Sequence, residues 1–118
     1  MTTSEPIRFV STRGQAPALT FDQALLQGLA PDGGLYIPER IPQLPAKLWQ
    51  RASSFAEMAA EVLVRWLQGI FSEETVGRVT TEALSFPVPL VSLGEDLYIL
   101  ELFHGPTLSF KDFGARTM

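Results

Sequence analysis

Lys111 is the residue best placed for covalent chemistry in this chain. It stands in the stretch from Glu101 to Arg116, which reads ELFHGPTLSFKDFGAR. The apolar run over residues 97–103 predicts a buried strand. His104-Gly105-Pro106-Thr107 breaks it, and a helix is expected from near Ser109, with Lys111 in its first turn. A cation is mildly disfavoured there, because the helix dipole and the unpaired N–H groups favour anions. Such conflicts between local preference and sequence mark places where function overrides propensity. A lysine amine held beside a helix start is suited to attack an aldehyde carbon. The chain has one other lysine, Lys47 in Pro45-Ala46-Lys47-Leu48-Trp49, which reads as a solvated side chain.

Polar groups around Lys111 have two readings each. Thr107 and Ser109 carry hydroxyls near the helix start, where they either meet a phosphate or carboxylate or simply cap the helix. Asp112 either favours the helix start through the dipole or orients Lys111. His104 is the only histidine, the chain has no cysteine, and no carboxylate pair adjoins His104, so metal ligation is poorly provided for.

The elements that must position these groups follow from pattern. Residues 7–11 read as a short strand. A capping box of Thr20 and Gln23 opens a helix of about two turns that Gly28 ends. Residues 31–34, Pro-Asp-Gly-Gly, form a turn by composition, followed by a brief strand over 35–37. One helical turn is expected over 46–51. The clearest helix spans 55–68. Ser54 caps it, Glu57 completes the box, and Phe55, Met58, Ala59, Val62, Leu63 and Trp66 form an apolar stripe. A second helix runs over 73–85 from a Ser72 cap, weakened at Gly77. After Pro87-Val88-Pro89 the pattern turns strand-like, and residues 90–93 and 97–103 read as a β-hairpin across Gly94-Glu95-Asp96. A lone hairpin is marginal in water, so residues 87–118 are expected to be mobile or self-associating if nothing covers them.

At 118 residues, 46% of them hydrophobic, the chain has the size and apolar content of an ordinary domain. A net charge of −4 argues against a nucleic-acid or anionic-membrane partner. Without cysteine there are no disulfides, which fits a cytoplasmic protein, and neither a signal core nor a membrane-length apolar run is visible.

ELFHGPTLSFKDFG resembles the pyridoxal-lysine segment of the threonine synthase family. Ser11-Thr12-Arg13-Gly14 and the block from Gly28 to Pro38, GLAPDGGLYIP, agree with that family and stand in its order. The resemblance therefore covers essentially the whole chain. It implies an α+β architecture: a mainly helical N-terminal domain, residues 1–86, and then the truncated start, residues 87–118, of a tryptophan-synthase-β-like α/β domain. The implied cofactor is pyridoxal 5′-phosphate, bound by Lys111, whose amine would then serve as acid and base. The implied reaction converts O-phospho-L-homoserine and water to L-threonine and phosphate, a carbon–oxygen lyase step in amino-acid biosynthesis. On the same footing His104, Thr107 and Ser109 become candidate substrate contacts. For His104 the alternative is a structural hydrogen bond. Phe113 either lies near the cofactor ring or packs in a core. Arg13 and Asp32-Gly33-Gly34 either face the active site or make the turn. The family's glycine-rich phosphate loop and pyridine-nitrogen partner would lie downstream, so the chain alone is expected not to catalyse, and a complementing C-terminal chain is the implied partner. Two other readings stand beside this one. The first is an inactive docking module built on the helical domain with Trp49 and Trp66. The second is a different pyridoxal lyase of the tryptophan-synthase β type, against which HGPT and STRG speak.

Overall fold

The computed structural model describes residues 5–51 and 54–118, apart from the side chains of Trp49 and Arg51. The docking role offered for the Trp49 side chain therefore lies outside the described residues. The elements in order are β1 (Phe9–Ser11), α1 (Phe21–Gln27), β2 (Tyr36–Pro38), α2 (Leu48–Arg51), α3 (Phe55–Trp66), α4 (Glu73–Ala83), β3 (Leu90–Gly94), β4 (Leu97–Leu100) and α5 (Lys111–Thr117). This mixed arrangement of helices and small sheets is the α+β pattern expected.

β1 and β2 pair antiparallel, with Val10 opposite Ile37. Leu19 adds an isolated bridge to Phe9, whose ring packs edge-on against Phe21 at 5.7 Å. The box at the start of α1 forms in part as read: the Thr20 N–H donates to Gln23 Oε1 at 3.1 Å, while the Thr20 hydroxyl goes to Asp22. The Ser54 and Ser72 hydroxyls accept from the N–H groups of Glu57 and Thr75, which caps α3 and α4 as their sequences predict.

α3 and α4 pack on each other, and α4 is the better buried, through Val76, Thr80 and Ala83. The apolar stripe of α3 is half-buried from Met58 to Trp66, and Phe55 at its start is exposed. Ile7, Ala24, Ala30, Leu48, Leu67 and Leu84 complete the buried apolar set. The Tyr36 hydroxyl is buried and has no hydrogen-bond partner among the described residues. No helix among those residues is long and apolar enough to cross a membrane.

The hairpin corrects one expectation. Leu97 to Leu100 form a strand, but it ends at Leu100 rather than Phe103, and every residue of β3 and β4 is exposed. The sequence predicts burial because these side chains are apolar on both faces. Such a strand needs a layer on each side, and the described residues supply neither. The ladder also shifts register between Ser92 and Gly94, where Gly94 has φ +152° and Asp96 φ +54°.

Candidate active site around Lys111

α5 begins at Lys111, two residues later than Ser109, where the sequence placed its start. Ser109 nevertheless helps to open it: its hydroxyl accepts from the Lys111 N–H at 3.3 Å, and its carbonyl accepts from the Asp112 N–H at 3.1 Å. The Lys111 side chain is exposed, and no hydrogen bond or ion pair engages its ammonium among the described residues. An amine of this kind is free to meet an incoming aldehyde.

Asp112 does not turn toward that amine. Its carboxylate reaches back over the preceding turn, accepting from the Thr107 N–H at 2.9 Å and the Thr107 hydroxyl at 2.7 Å. The side chain is 4% exposed. The Thr107 hydroxyl first, then the N–H groups of Thr107 and Ser109 and the nearby Arg116 charge, hold its carboxyl below the usual carboxylate value, against the opposing effect of desolvation. Gly105 makes this clasp possible. A Cβ there would stand 2.6 Å from Asp112 Cβ and 2.8 Å from its Cγ. The clasp spans Leu108, which carries φ +54°, a strained value for a branched side chain that persists only where its surroundings over-determine it.

His104 is held as well. Its Nε2 lies 2.6 Å from Glu101 Oε2, and its ring stacks on Phe103 at 4.6 Å. His104, Thr107 and Ser109 thus belong to one loop that runs into the Lys111 helix, with Thr107 and His104 already engaged by carboxylates within the chain. Phe113 sits in an aromatic cluster, 5.0 Å from Phe86, 5.8 Å from Phe55 and 5.8 Å from Phe110.

The other two blocks of the resemblance form a second constellation. Asp32 accepts from the Ser11 hydroxyl at 2.7 Å and from the N–H groups of Gly34, Gln15 and Ala16. The Ser11 hydroxyl leads these in keeping its carboxyl below the ordinary value. Arg13 Nη1 donates to the Asp32 carbonyl at 2.9 Å, and Gly34 is packed so tightly against Ser11 that no Cβ fits. Of the two readings for Arg13 and Asp32, the structure displays the turn-making one.

A surface cavity of about 780 Å³ lies away from Lys111, lined by α3 and the α3–α4 turn, including Glu57, Val64, Arg65 and Phe71. No group of His, Cys, Asp and Glu among the described residues could hold a metal ion.

The family model described as "Threonine synthase N terminus" matches residues 8–84. The chain belongs to the threonine synthase family. It is 42% identical to the threonine synthase of Pseudomonas aeruginosa, over 95% of this chain and 25% of that protein. It superposes on the PLP-bound threonine synthase of Brucella melitensis with a TM-score of 0.85 at 43% identity, covering 95% of this chain and 26% of that one. Against the Escherichia coli threonine synthase the TM-score is 0.87 at 30% identity, over 94% and 26%. The chain therefore spans about a quarter of the length of the threonine synthases it matches.

Sequence reading singled out Lys111, His104, Thr107 and Ser109 but passed over Gly105 and the pairing role of Glu101, and it gave Arg116 no part. Glu101 was legible, being three residues from the only histidine. The Gly105 contact was not, because it depends on the path of the turn.

Proposed function

We propose that this chain supplies the N-terminal part of a pyridoxal-phosphate-dependent threonine synthase, which forms L-threonine and phosphate from O-phospho-L-homoserine and water. Residues 1–86 are its helical N-terminal domain, and residues 87–118 begin its α/β catalytic domain. The observation that carries the reading is the exposed Lys111 amine, without a partner among the described residues, on the first residue of a helix whose start is fixed from both sides, within a chain of the threonine synthase family.

The residues present fit one function of the cofactor, attachment through Lys111. The phosphate and ring contacts have no counterpart among the described residues, since Gly114 lies within α5 rather than in a cradle. When bound, pyridoxal phosphate supplies an electron sink for carbanion chemistry. The chain's own residues do the rest that is local. The Lys111 nitrogen takes and returns protons at the reacting carbons. The Asp112–Thr107 clasp fixes the approach of the loop. His104, Thr107 and Ser109 line the substrate side, with Glu101 setting the His104 ring. Orientation of this kind lowers barriers by ~7–11 kcal/mol when a site is complete, and a quarter-length chain does not complete one. The purified 118-residue chain is therefore expected to form no threonine.

A hybrid tests the proposal. Residues 1–118 replace the matching quarter of the Pseudomonas aeruginosa enzyme, and threonine formation from O-phospho-L-homoserine is measured. The hybrid is expected to be active, and its Lys111→Ala form to lose both activity and the cofactor absorption band. A Lys111→Ala hybrid that keeps both would overturn the assignment.

A further inference from the structure

The geometry points to Arg116 as the positioning residue for Lys111: its guanidinium, bonded to the last carbonyls of α4, mounts the lysine helix on the helical N-terminal unit. This rests on the reading of Lys111 as the cofactor lysine. Arg116 Nε donates to the Ala83 carbonyl at 2.7 Å and Nη2 to the Glu82 carbonyl at 2.9 Å. These are terminal carbonyls of α4, which the helix itself leaves unpaired. α4 has no basic residue in its own last turn, so the cation that the negative end of its dipole favours comes from α5. The planar fork of arginine suits two neighbouring acceptors in a way that a lysine ammonium does not.

Two further contacts make this a mount rather than a surface bond. Phe113, on the same short helix, packs its ring edge-on against Phe86 and against Phe55, the first residue of α3. Asp112, the residue after Lys111, is clasped to Thr107. A helix of seven residues is marginal by itself, so its place depends on these anchors. Arg116 is the one that carries charge between the two parts of the chain. The helical unit thereby sets where the Lys111 amine stands, although Arg116 lies five positions along the chain and its hydrogen bonds go to α4.

The test uses the full 118-residue chain, wild type and Arg116→Gln, with two measurements. Amide exchange reads the anchoring of α5, with α3 and α4 as the folding control. Borohydride trapping with pyridoxal 5′-phosphate reads the Lys111:Lys47 labelling ratio. In Arg116→Gln, exchange in α5 is expected to rise by about tenfold or more, the effect of losing the charge-assisted pair of hydrogen bonds, with α3 and α4 unchanged. The labelling ratio is expected to fall several-fold, and Arg116→Lys, which keeps a cation and one donor at the carbonyls, to restore part of both. Unchanged α5 exchange in Arg116→Gln overturns the mount, as does a ratio that stays fixed while α5 opens. Should Arg116→Gln unfold α3 and α4 too, Arg116→Lys decides: wild-type exchange and labelling in that variant overturn the need for the fork. A wild-type chain without preference for Lys111 refutes the cofactor reading instead, and the exchange arm still judges the mount.

Discussion

Replacing Gly105 with alanine should damage the turn before Lys111 through steric conflict alone. Gly105 does not have a positive φ, so an alanine there suffers no backbone penalty. The obstacle is Asp112. The new Cβ would lie 2.6 Å from Asp112 Cβ and 2.8 Å from Cγ. Rotating the carboxylate cannot relieve the first contact, because that atom is fixed to the α5 backbone. The turn and the helix must separate by about 1 Å to reach an ordinary carbon–carbon distance of about 3.5 Å. Overpacking of this kind costs about 1–3 kcal/mol, which for a domain of this size is a fall in melting temperature of roughly 4 to 15 °C. Separation also draws Thr107 away from the carboxylate. Gly114→Ala is the control: nothing lies within 4 Å of its Cβ position inside α5, so alanine should stabilise by about 0.5–1 kcal/mol. Thermal unfolding followed by circular dichroism measures both. A Gly105→Ala chain that melts with wild type, while Gly114→Ala melts higher, would refute the packing of Asp112 on the turn.

Acid should loosen both clasps. The Asp32 and Asp112 carboxyls have folded pKa values below their unfolded ones, so in the window between, the unfolded chain binds more protons and stability rises with pH. Their contribution is complete above about pH 4, the unfolded carboxylate value, and is lost as pH falls through the lowered folded values. Urea midpoints measured from pH 6 down to pH 2.5 should fall less steeply in Asp32→Asn than in wild type, and parallel curves would contradict this. Tyr36→Phe removes a buried hydroxyl that has no partner among the described residues and should leave stability unchanged or raise it by about 1 kcal/mol; a clear loss in urea denaturation would mean that the hydroxyl is paired. The all-exposed hairpin should exchange its amides rapidly in a monomer or slow them on self-association, and strong protection over residues 97–100 in a monomer would contradict the exposure.

Much of this molecule was legible because its signals are local. Ser54 and Ser72 cap the helices they precede, the Thr20–Gln23 contact forms, and Gly28 ends α1 with φ +74°. What pattern alone misplaced depends on distant chain. The continuous apolar run of residues 97–100 states what those side chains need, not whether a layer is present to meet it. The start of α5 slipped from Ser109 to Lys111 because Pro106 and the positive φ of Leu108 hold residues 105–110 in turns. Asp112 offered a dipole role and an orienting role by sequence; only the path of the turn over Gly105 reveals that it grips Thr107. Arg116 is an ordinary charged residue until the end of α4 is brought beside it.

Lys111 is the lysine proposed to receive the cofactor. The most direct measurement is borohydride trapping with pyridoxal 5′-phosphate on the wild-type chain, followed by peptide mapping of its two lysines. Selective modification of Lys111 over Lys47 is the predicted result. Equal modification, or a preference for Lys47, would contradict it.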